Sequence, residues 1–269
     1  MLTARLTGRS ALVNVMVSAA EKAGRALTRD FGEVEQLQVS RKGLGDFVST
    51  ADHRSEKIII QELTKARPGY SFLLEETGAI EGTDTEHCWI VDPLDGTLNF
   101  LHGIPQFCVS LALKKGDEII AGVIYNPVLD ELYWAEKGKG TYLNQRRLRV
   151  SGRRHLDEAL VAIGTSYRDQ EDGHAINYTS RLVGKVAGMR RFGSAALDLA
   201  YVAAGKFDAS FAANLKSWDL AAGILMVKES GGYVCDAKGG QDMIGSGSAL
   251  VANDHLFEPL SKILIRPLA

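Results

Sequence analysis

The stretch Cys88-Trp89-Ile90-Val91-Asp92-Pro93-Leu94-Asp95-Gly96-Thr97-Leu98-Asn99-Phe100 decides the reading of this chain. An apolar run rich in aromatic and β-branched residues stops abruptly at Asp-Pro-Leu-Asp-Gly-Thr, the pattern of a buried strand that hands two carboxylates to a turn. Pro93 fixes its own φ and has no amide hydrogen to satisfy, so Asp92 and Asp95, three residues apart, can point the same way. The Leu94 carbonyl between them, free of a strand ladder, is a third hard oxygen ligand. Gly96 bends the backbone without a Cβ penalty. Thr97 falls where a helix would begin, with free amides that suit a phosphate. Asp, Pro and Gly are also the commonest turn residues, so this stretch alone reads equally as a plain turn, and other segments decide.

Composition sets the bounds. The 269 residues, 45% hydrophobic and 24% charged, describe an ordinary globular protein with room for one large core or two abutting ones. A formal net charge of −2 gives no basic footprint, and no direct nucleic-acid role is expected. Cys88, Cys108 and Cys235 are odd in number and lie in separate apolar runs, which reads as buried strand residues in a reducing cytoplasm. Arg5 and Arg9 ahead of Ala11 to Ala20 loosely imitate a signal peptide, but Asn14 and Ser18 interrupt the run. Leu12, Met16, Ala19, Ala23 and Leu27 recur at helical spacing, which makes the segment an amphipathic helix. No apolar run reaches the roughly 18 residues a membrane span needs.

In chain order, a first helix is expected from about Leu2 to Thr28, ending near Gly32. Arg41 to Asp52 reads as a glycine-bearing loop entering a second helix, with Ile58, Ile59, Leu63 and Ala66 inward and a stop at Arg67-Pro68-Gly69. Asp52 falls in that helix's first turn, where an acid complements the dipole. Phe72-Leu73-Leu74 delivers Glu75-Glu76-Thr77-Gly78, a second strand ending in paired acids. Cys108 to Lys114, Glu118 to Asn126 and Glu131 to Glu136 follow as an antiparallel meander, and Glu136 to Thr141 as a glycine-rich turn without Walker spacing. The second half alternates. A strand at Leu160 to Gly164, helices at His174 to Gly188 and Ser194 to Gly205, and a strand at Phe207 to Ala212 lead to a helix at Trp218 to Ser230. Short strands follow at Tyr233 to Cys235 and Ala249 to Ala252. One domain with two lobes, about 1–150 and 151–269, is the economical organisation.

Other chemistries lack their patterns: the six histidines show no zinc spacing, and neither a Gly-x-Ser-x-Gly elbow nor a dinucleotide fingerprint occurs. What remains is an acid inventory, Glu75, Asp92, Asp95 and Asp219, each at an element end. Should they converge, like charges ~4 Å apart repel by about 4 kcal/mol per pair at an effective dielectric of ~20, so the cluster calls for cations. Carboxylates with a carbonyl select hard ions such as Mg²⁺, and two-metal sites clamp phosphates for in-line displacement.

Asp92 to Phe100, the upstream Glu75-Glu76 pair, and Trp218-Asp219-Leu220-Ala221-Ala222-Gly223 with Gly231-Gly232 together resemble the inositol monophosphatase family. The match in order and spacing runs from Asp46 to Gly232. The resemblance implies a layered α-β-α-β-α fold of the α+β class, a homodimer, and Mg²⁺-dependent, lithium-sensitive hydrolysis of a phosphate monoester. Carried onto this chain, it implies Glu75, Asp92 and the Leu94 carbonyl as ligands of one Mg²⁺, and Asp92, Asp95 and Asp219 as ligands of a second. A third, weaker ion would lean on Glu75. Asp52 and Thr97 match the pair that orients and deprotonates the attacking water, with Glu76 in support and Lys42 as an electrostatic contributor. The Gly96 and Thr97 amides match the phosphate cradle, and Gly193, Ser194 and Ala195 the substrate-hydroxyl loop. Bacterial relatives also act as partners of the transcription and ribosomal-RNA processing machinery, which is an implication by analogy alone.

Two departures stand out. Relatives that prefer inositol phosphate carry an acid seven residues before the helix aspartate, where this chain has Ala212, so discrimination on the alcohol side is expected to be weak. Histidinol phosphate, fructose 1,6-bisphosphate and 3′-phosphoadenosine 5′-phosphate are the alternative substrates. Leu74 stands where many relatives have Gly, which is expected to reshape the metal loop slightly.

Overall fold

The computed structural model describes residues 8–33, 39–43, 46–165 and 174–265, without the side chains of 39–48, 165 and 174–177. Helix α1 covers Ala11–Phe31 and buries Met16, Ala19, Ala23 and Leu27 completely, while Leu12 is only half-buried. It starts later than the expected Leu2 because Ser10 caps it, accepting the Val13 amide at 3.2 Å. Residues 2–7 of the expected helix lie outside the described residues. At the other end it runs past Thr28, since Phe31 packs its ring at a tilt against Phe100 and Phe107.

Strands β1 (Val39–Gly43) and β2 (Asp46–Ser49) pair as an antiparallel hairpin where a loop was expected. Backbone pairing, which needs no particular side chain, wins here over glycine content. Helix α2 (Thr50–Ala66) buries Ile59 and Leu63 and ends before Pro68, with Ile58 and Ala66 at its half-buried margin.

Eight strands then form the larger sheet: β3 (Ser71–Leu74), β4 (Gly78–Ile80), β5 (His87–Asp95), β6 (Cys108–Lys115), β7 (Glu118–Asn126), β8 (Glu131–Glu136), β9 (Gly140–Leu143) and β10 (Arg146–Arg147). Their order is β10-β9-β8-β7-β6-β5-β3-β4, antiparallel except for the β3–β5 pair. Alternation sorts the side chains. Trp89, Val91, Leu111, Val123 and Trp134 join the core beneath α1 and α2, whereas Ile90, Ala112, Ile124, Tyr133 and Ala135 face the opposite side. The short helix α3 (Thr97–Leu101) interrupts the sheet between β5 and β6.

The second half adds β11 (Leu160–Thr165), α4 (His174–Leu182), β12 (Gly188–Arg190), α5 (Ala195–Ala203) and β13 (Ala209–Ala213). These are followed by α6 (Ser217–Glu229), β14 (Tyr233–Cys235), α7 (Met243–Ser246), β15 (Ala249–Ala252) and α8 (Asp254–Leu264). The strands order as β12-β11-β13-β15-β14, with β11 parallel to both of its neighbours. Two expectations are corrected here. The helix expected to run to Gly188 stops at Leu182; Gly184 turns left-handed at φ 74°, and Gly188 opens β12 instead. Helix α8 was not foreseen. Asn253 caps it by accepting the Leu256 amide at 2.9 Å, and Leu256, Leu260 and Leu264 seal the outer face of the five-stranded sheet despite Pro259 in its interior.

Helices α5 and α6 lie between the two sheets and are buried almost all round, which explains their Ala- and Leu-rich sequences. A Cβ on Gly223 would stand 2.4 Å from Leu199 Cβ, so only glycine lets these two helices approach this closely. The layers, α1 and α2, the large sheet, α5 and α6, the small sheet, then α4 and α8, realise the α-β-α-β-α arrangement of the α+β class. Among the described residues, no helix is long and apolar enough to cross a membrane.

Candidate active site

The site begins where β3 and β5 end. Their parallel register sets Leu74 beside Val91, and the Glu75 amide donates to the Val91 carbonyl at 3.3 Å, so both acid-bearing ends leave the sheet at the same edge. Against β6 the ladder pairs Asp92 with Ser110 but Asp95 with Cys108. Three steps on β5 therefore face two on β6, a bulge at Pro93 that releases backbone from the ladder. Asp92 Oδ1 accepts the Leu94 amide at 2.9 Å inside it, and the Ser55 hydroxyl ties down the Pro93 carbonyl at 2.8 Å. Leu74 sends its side chain into the α1 and α2 core, away from the acids.

Gly96 follows at φ 97°, and a Cβ there would meet the Gln106 carbonyl oxygen at 2.9 Å. Glycine is required at this turn by both its dihedral and its space. Asn99 secures the turn from below, donating to the Gln106 and Phe192 carbonyls at 2.7 and 2.6 Å. Thr97 Oγ lies 3.0 Å from Asp52 Oδ1 and 3.1 Å from the Leu94 carbonyl. Asp52 is fully buried in the first turn of α2, and its Oδ2 accepts the Ser49 amide at 2.8 Å and the Ser49 hydroxyl at 2.7 Å. Burial raises its pKa above the ordinary carboxylate value, against the lowering effect of the bonds from Ser49 and Thr97.

Asp95 sits on the N-terminus of α5. It accepts the Ser194 hydroxyl at 2.6 Å and the Ala196 and Ala195 amides at 2.8 and 3.3 Å. Asp219, in the first turn of α6, accepts the Lys216 amide at 2.7 Å. Oxygens of Asp92, Asp95 and Asp219 all lie within 4.8 Å of one another. Burial, then the charges of Glu75, Asp95 and Asp219, push Asp92 well above the usual carboxylate range. Burial and Asp95 push Asp219 up to about 7. The charges that act most on Asp92 are those of other carboxylates, so the set is electrostatically unfavourable as it stands, and hard oxygen donors in this number fit a divalent cation.

A cavity of about 290 Å³ brings together Glu75, Asp95, Gly96, Thr97, Gly193, Ser194, Ala195 and Asp219. Asp52, Asp92 and Leu94 lie behind this wall, buried. Glu76 is half-buried beside it; its amide donates to Glu56 at 3.0 Å. Glu56 also accepts the Thr77 amide at 3.1 Å and the Thr77 hydroxyl, which pins the loop that presents Glu75. The side chain of Lys42 lies outside the described residues. Ala212 is buried in β13, in register with Gly164 of β11, and puts no polar atom toward the cavity.

Sequence reasoning missed Ser49, Ser55 and Glu56, whose work is to hold other site residues. It also missed Asp198, a buried acid on the cavity wall. The available signal was a charge inside Ala195-Ala196-Leu197-Asp198-Leu199-Ala200, a run otherwise apolar on every side.

Fold and site together define a layered α+β protein with a buried acid cluster fit for divalent cations beside a turn suited to phosphate. The inositol monophosphatase family profile matches residues 9–264, and the chain belongs to that family. An inositol-1-monophosphatase of Mesorhizobium japonicum is 55% identical over 264 residues, 97% of this chain and 98% of the relative. A Pseudomonas aeruginosa protein called Nus factor SuhB is 41% identical over 254 residues, covering 93% and 94% of the two chains. The crystal structure of extragenic suppressor protein suhB from Bartonella henselae superposes with a TM-score of 0.93 at 52% identity, over 96% of this chain and all of the other.

Proposed function

We propose that this chain is a single-domain, Mg²⁺-dependent phosphomonoesterase acting on myo-inositol monophosphate or a related polyol or sugar phosphate. The observation that carries the reading is the meeting of Asp92, Asp95 and Asp219 within 4.8 Å, beside a Thr97 hydroxyl linked to buried Asp52. Glu75, Asp92 and the Leu94 carbonyl would hold one Mg²⁺, and Asp92, Asp95 and Asp219 a second, with Glu75 available to a third, weaker ion. When bound, Mg²⁺ neutralises the carboxylates, draws in the phosphate and acidifies water.

The chain's own residues do the rest. The Gly96 and Thr97 amides, at the start of α3, take phosphate oxygens. The Thr97 hydroxyl donates to Asp52 Oδ1, which leaves its oxygen lone pairs to accept a proton from the attacking water. As that proton arrives, the Thr97 proton passes to Asp52, whose raised pKa suits it to receive one. Glu76 supports this end of the site through its loop. Gly193, Ser194 and Ala195 line the side that the alcohol occupies.

Phosphate release from inositol 1-phosphate tests the reading. Release that needs Mg²⁺, stops on chelation and falls with lithium is the expected result. Turnover unaffected by chelation would sink it. Histidinol phosphate, fructose 1,6-bisphosphate and 3′-phosphoadenosine 5′-phosphate complete the substrate panel, since Ala212 leaves the alcohol side without the acid that inositol-preferring relatives carry.

The similarity to a protein called Nus factor SuhB supports a second reading, a partner of the transcription machinery. Capture of RNA polymerase components by a catalytically dead variant is the expected result if that reading holds. A cytoplasmic homodimer is the form we assign to either role, to be measured by light scattering.

A further inference from the structure

Asp198 is 2% exposed in the first turn of α5 and lines the cavity of about 290 Å³. Its Oδ1 has no hydrogen-bond partner, and Asp95 acts on it as an unfavourable neighbouring charge. An acid in a helix's first turn is favourable at the surface, but that account fails for a buried carboxylate with an orphan oxygen. The rest of α5 is apolar, so folding alone would be better served by leucine here. Groups that break local rules in this way mark function.

The cavity wall narrows what that function is. Three of its carboxylates, Glu75, Asp95 and Asp219, belong to the proposed cation cluster, and Asp198 is the fourth. Ile163, Phe192 and Leu215 supply apolar surface, and Ala212, buried in β13, offers no acid to read the alcohol. We propose that Asp198 is the specificity-determining residue for the alcohol half of the substrate, its carboxylate accepting a hydrogen bond from a polyol hydroxyl. The inference rests on the phosphatase reading above. A site built to pair a substrate hydroxyl discriminates against esters that lack one, because the buried acceptor is then left unpaired.

The test compares Asp198→Leu and Asp198→Asn with the wild type on inositol 1-phosphate, glycerol 2-phosphate and 4-nitrophenyl phosphate, all with saturating Mg²⁺. In Asp198→Leu the ratio of kcat/KM on the polyol esters to kcat/KM on the aryl ester falls about ten-fold, chiefly through KM. Asp198→Asn, which keeps an acceptor oxygen, restores the ratio to within about three-fold of wild type. The melting temperature of Asp198→Leu rises, as removal of a buried unpaired acid requires. An unchanged ratio, or equal losses on all three esters, overturns the proposal. So does a wild type that hydrolyses the aryl ester but neither polyol ester. Failure of the wild type on every ester would instead refute the phosphatase reading. Asp198→Ala, measured in the same way, decides the matter if the leucine variant does not fold.

Discussion

Gly223→Ala is a one-methyl change with a large expected effect. The new Cβ would lie 2.4 Å from Leu199 Cβ and 2.5 Å from its Cδ1. Carbon atoms rest at about 3.5–4.0 Å, so α5 and α6 must separate by roughly 1 Å or strain Leu199 off its rotamer. Overpacking of this kind costs about 1–3 kcal/mol, more in rigid surroundings, and alanine's better helix propensity returns about 1 kcal/mol. A net loss of about 1–2 kcal/mol lowers the melting temperature by roughly 2–8 °C in a protein of this size. Activity suffers as well, because α5 carries the groups that hold Asp95 and α6 carries Asp219 four residues before the substitution. A displacement of ~1 Å between reacting groups can cost about 100-fold in turnover. Differential scanning calorimetry and phosphate release measure the two effects on one preparation. A melting temperature equal to or above wild type, with turnover intact, would refute the reasoning: helix propensity would then have outweighed the packing of these helices.

Three other outcomes follow from the site. Asp95→Asn removes one charge from the cluster and lowers turnover by more than about 100-fold, with far-UV circular dichroism unchanged. Asp92 and Asp219 have folded pKa values raised above their unfolded ones, so the folded chain binds more protons than the unfolded one between about pH 4 and 7. In chelator, stability therefore falls as pH rises across that window; thermal melts should drop by several degrees from pH 5 to pH 8, a slope that Mg²⁺ reverses and Asp219→Asn flattens. Glu56→Gln weakens the grip on the Glu76 and Thr77 amides and frees the loop bearing Glu75, lowering Mg²⁺ affinity by about 10–100-fold in isothermal titration.

Some elements were legible because their signals are local. Helix α2 has a cap, an inward stripe and a terminating proline within one window, and the meander from Cys108 to Glu136 alternates with clear turns. The β1–β2 hairpin was illegible for the opposite reason: its backbone pairing leaves little trace in a glycine-bearing stretch. Helix α8 hides behind Pro259, and only its contact with the five-stranded sheet outweighs the missing amide. At the site, the acids announced themselves by type and position at element ends. Their supports did not, because Ser49 is an ordinary helix cap and Ser55 and Glu56 are ordinary polar helix residues until the fold places partners against them.

By itself the sequence determined the turn chemistry of Asp92 to Thr97, the order of the acid-bearing element ends and the family pattern they form. These follow from residue type and spacing along the chain. Only the tertiary structure decided that Asp92, Asp95 and Asp219 meet within 4.8 Å, that Thr97 reaches Asp52 across 45 residues, and that Asp198 stands unpaired in the same cavity. Convergence of this kind depends on how closely α5 and α6 pack between two sheets, and that distance is set by contacts such as Gly223 against Leu199, remote in sequence and adjacent only in the folded chain.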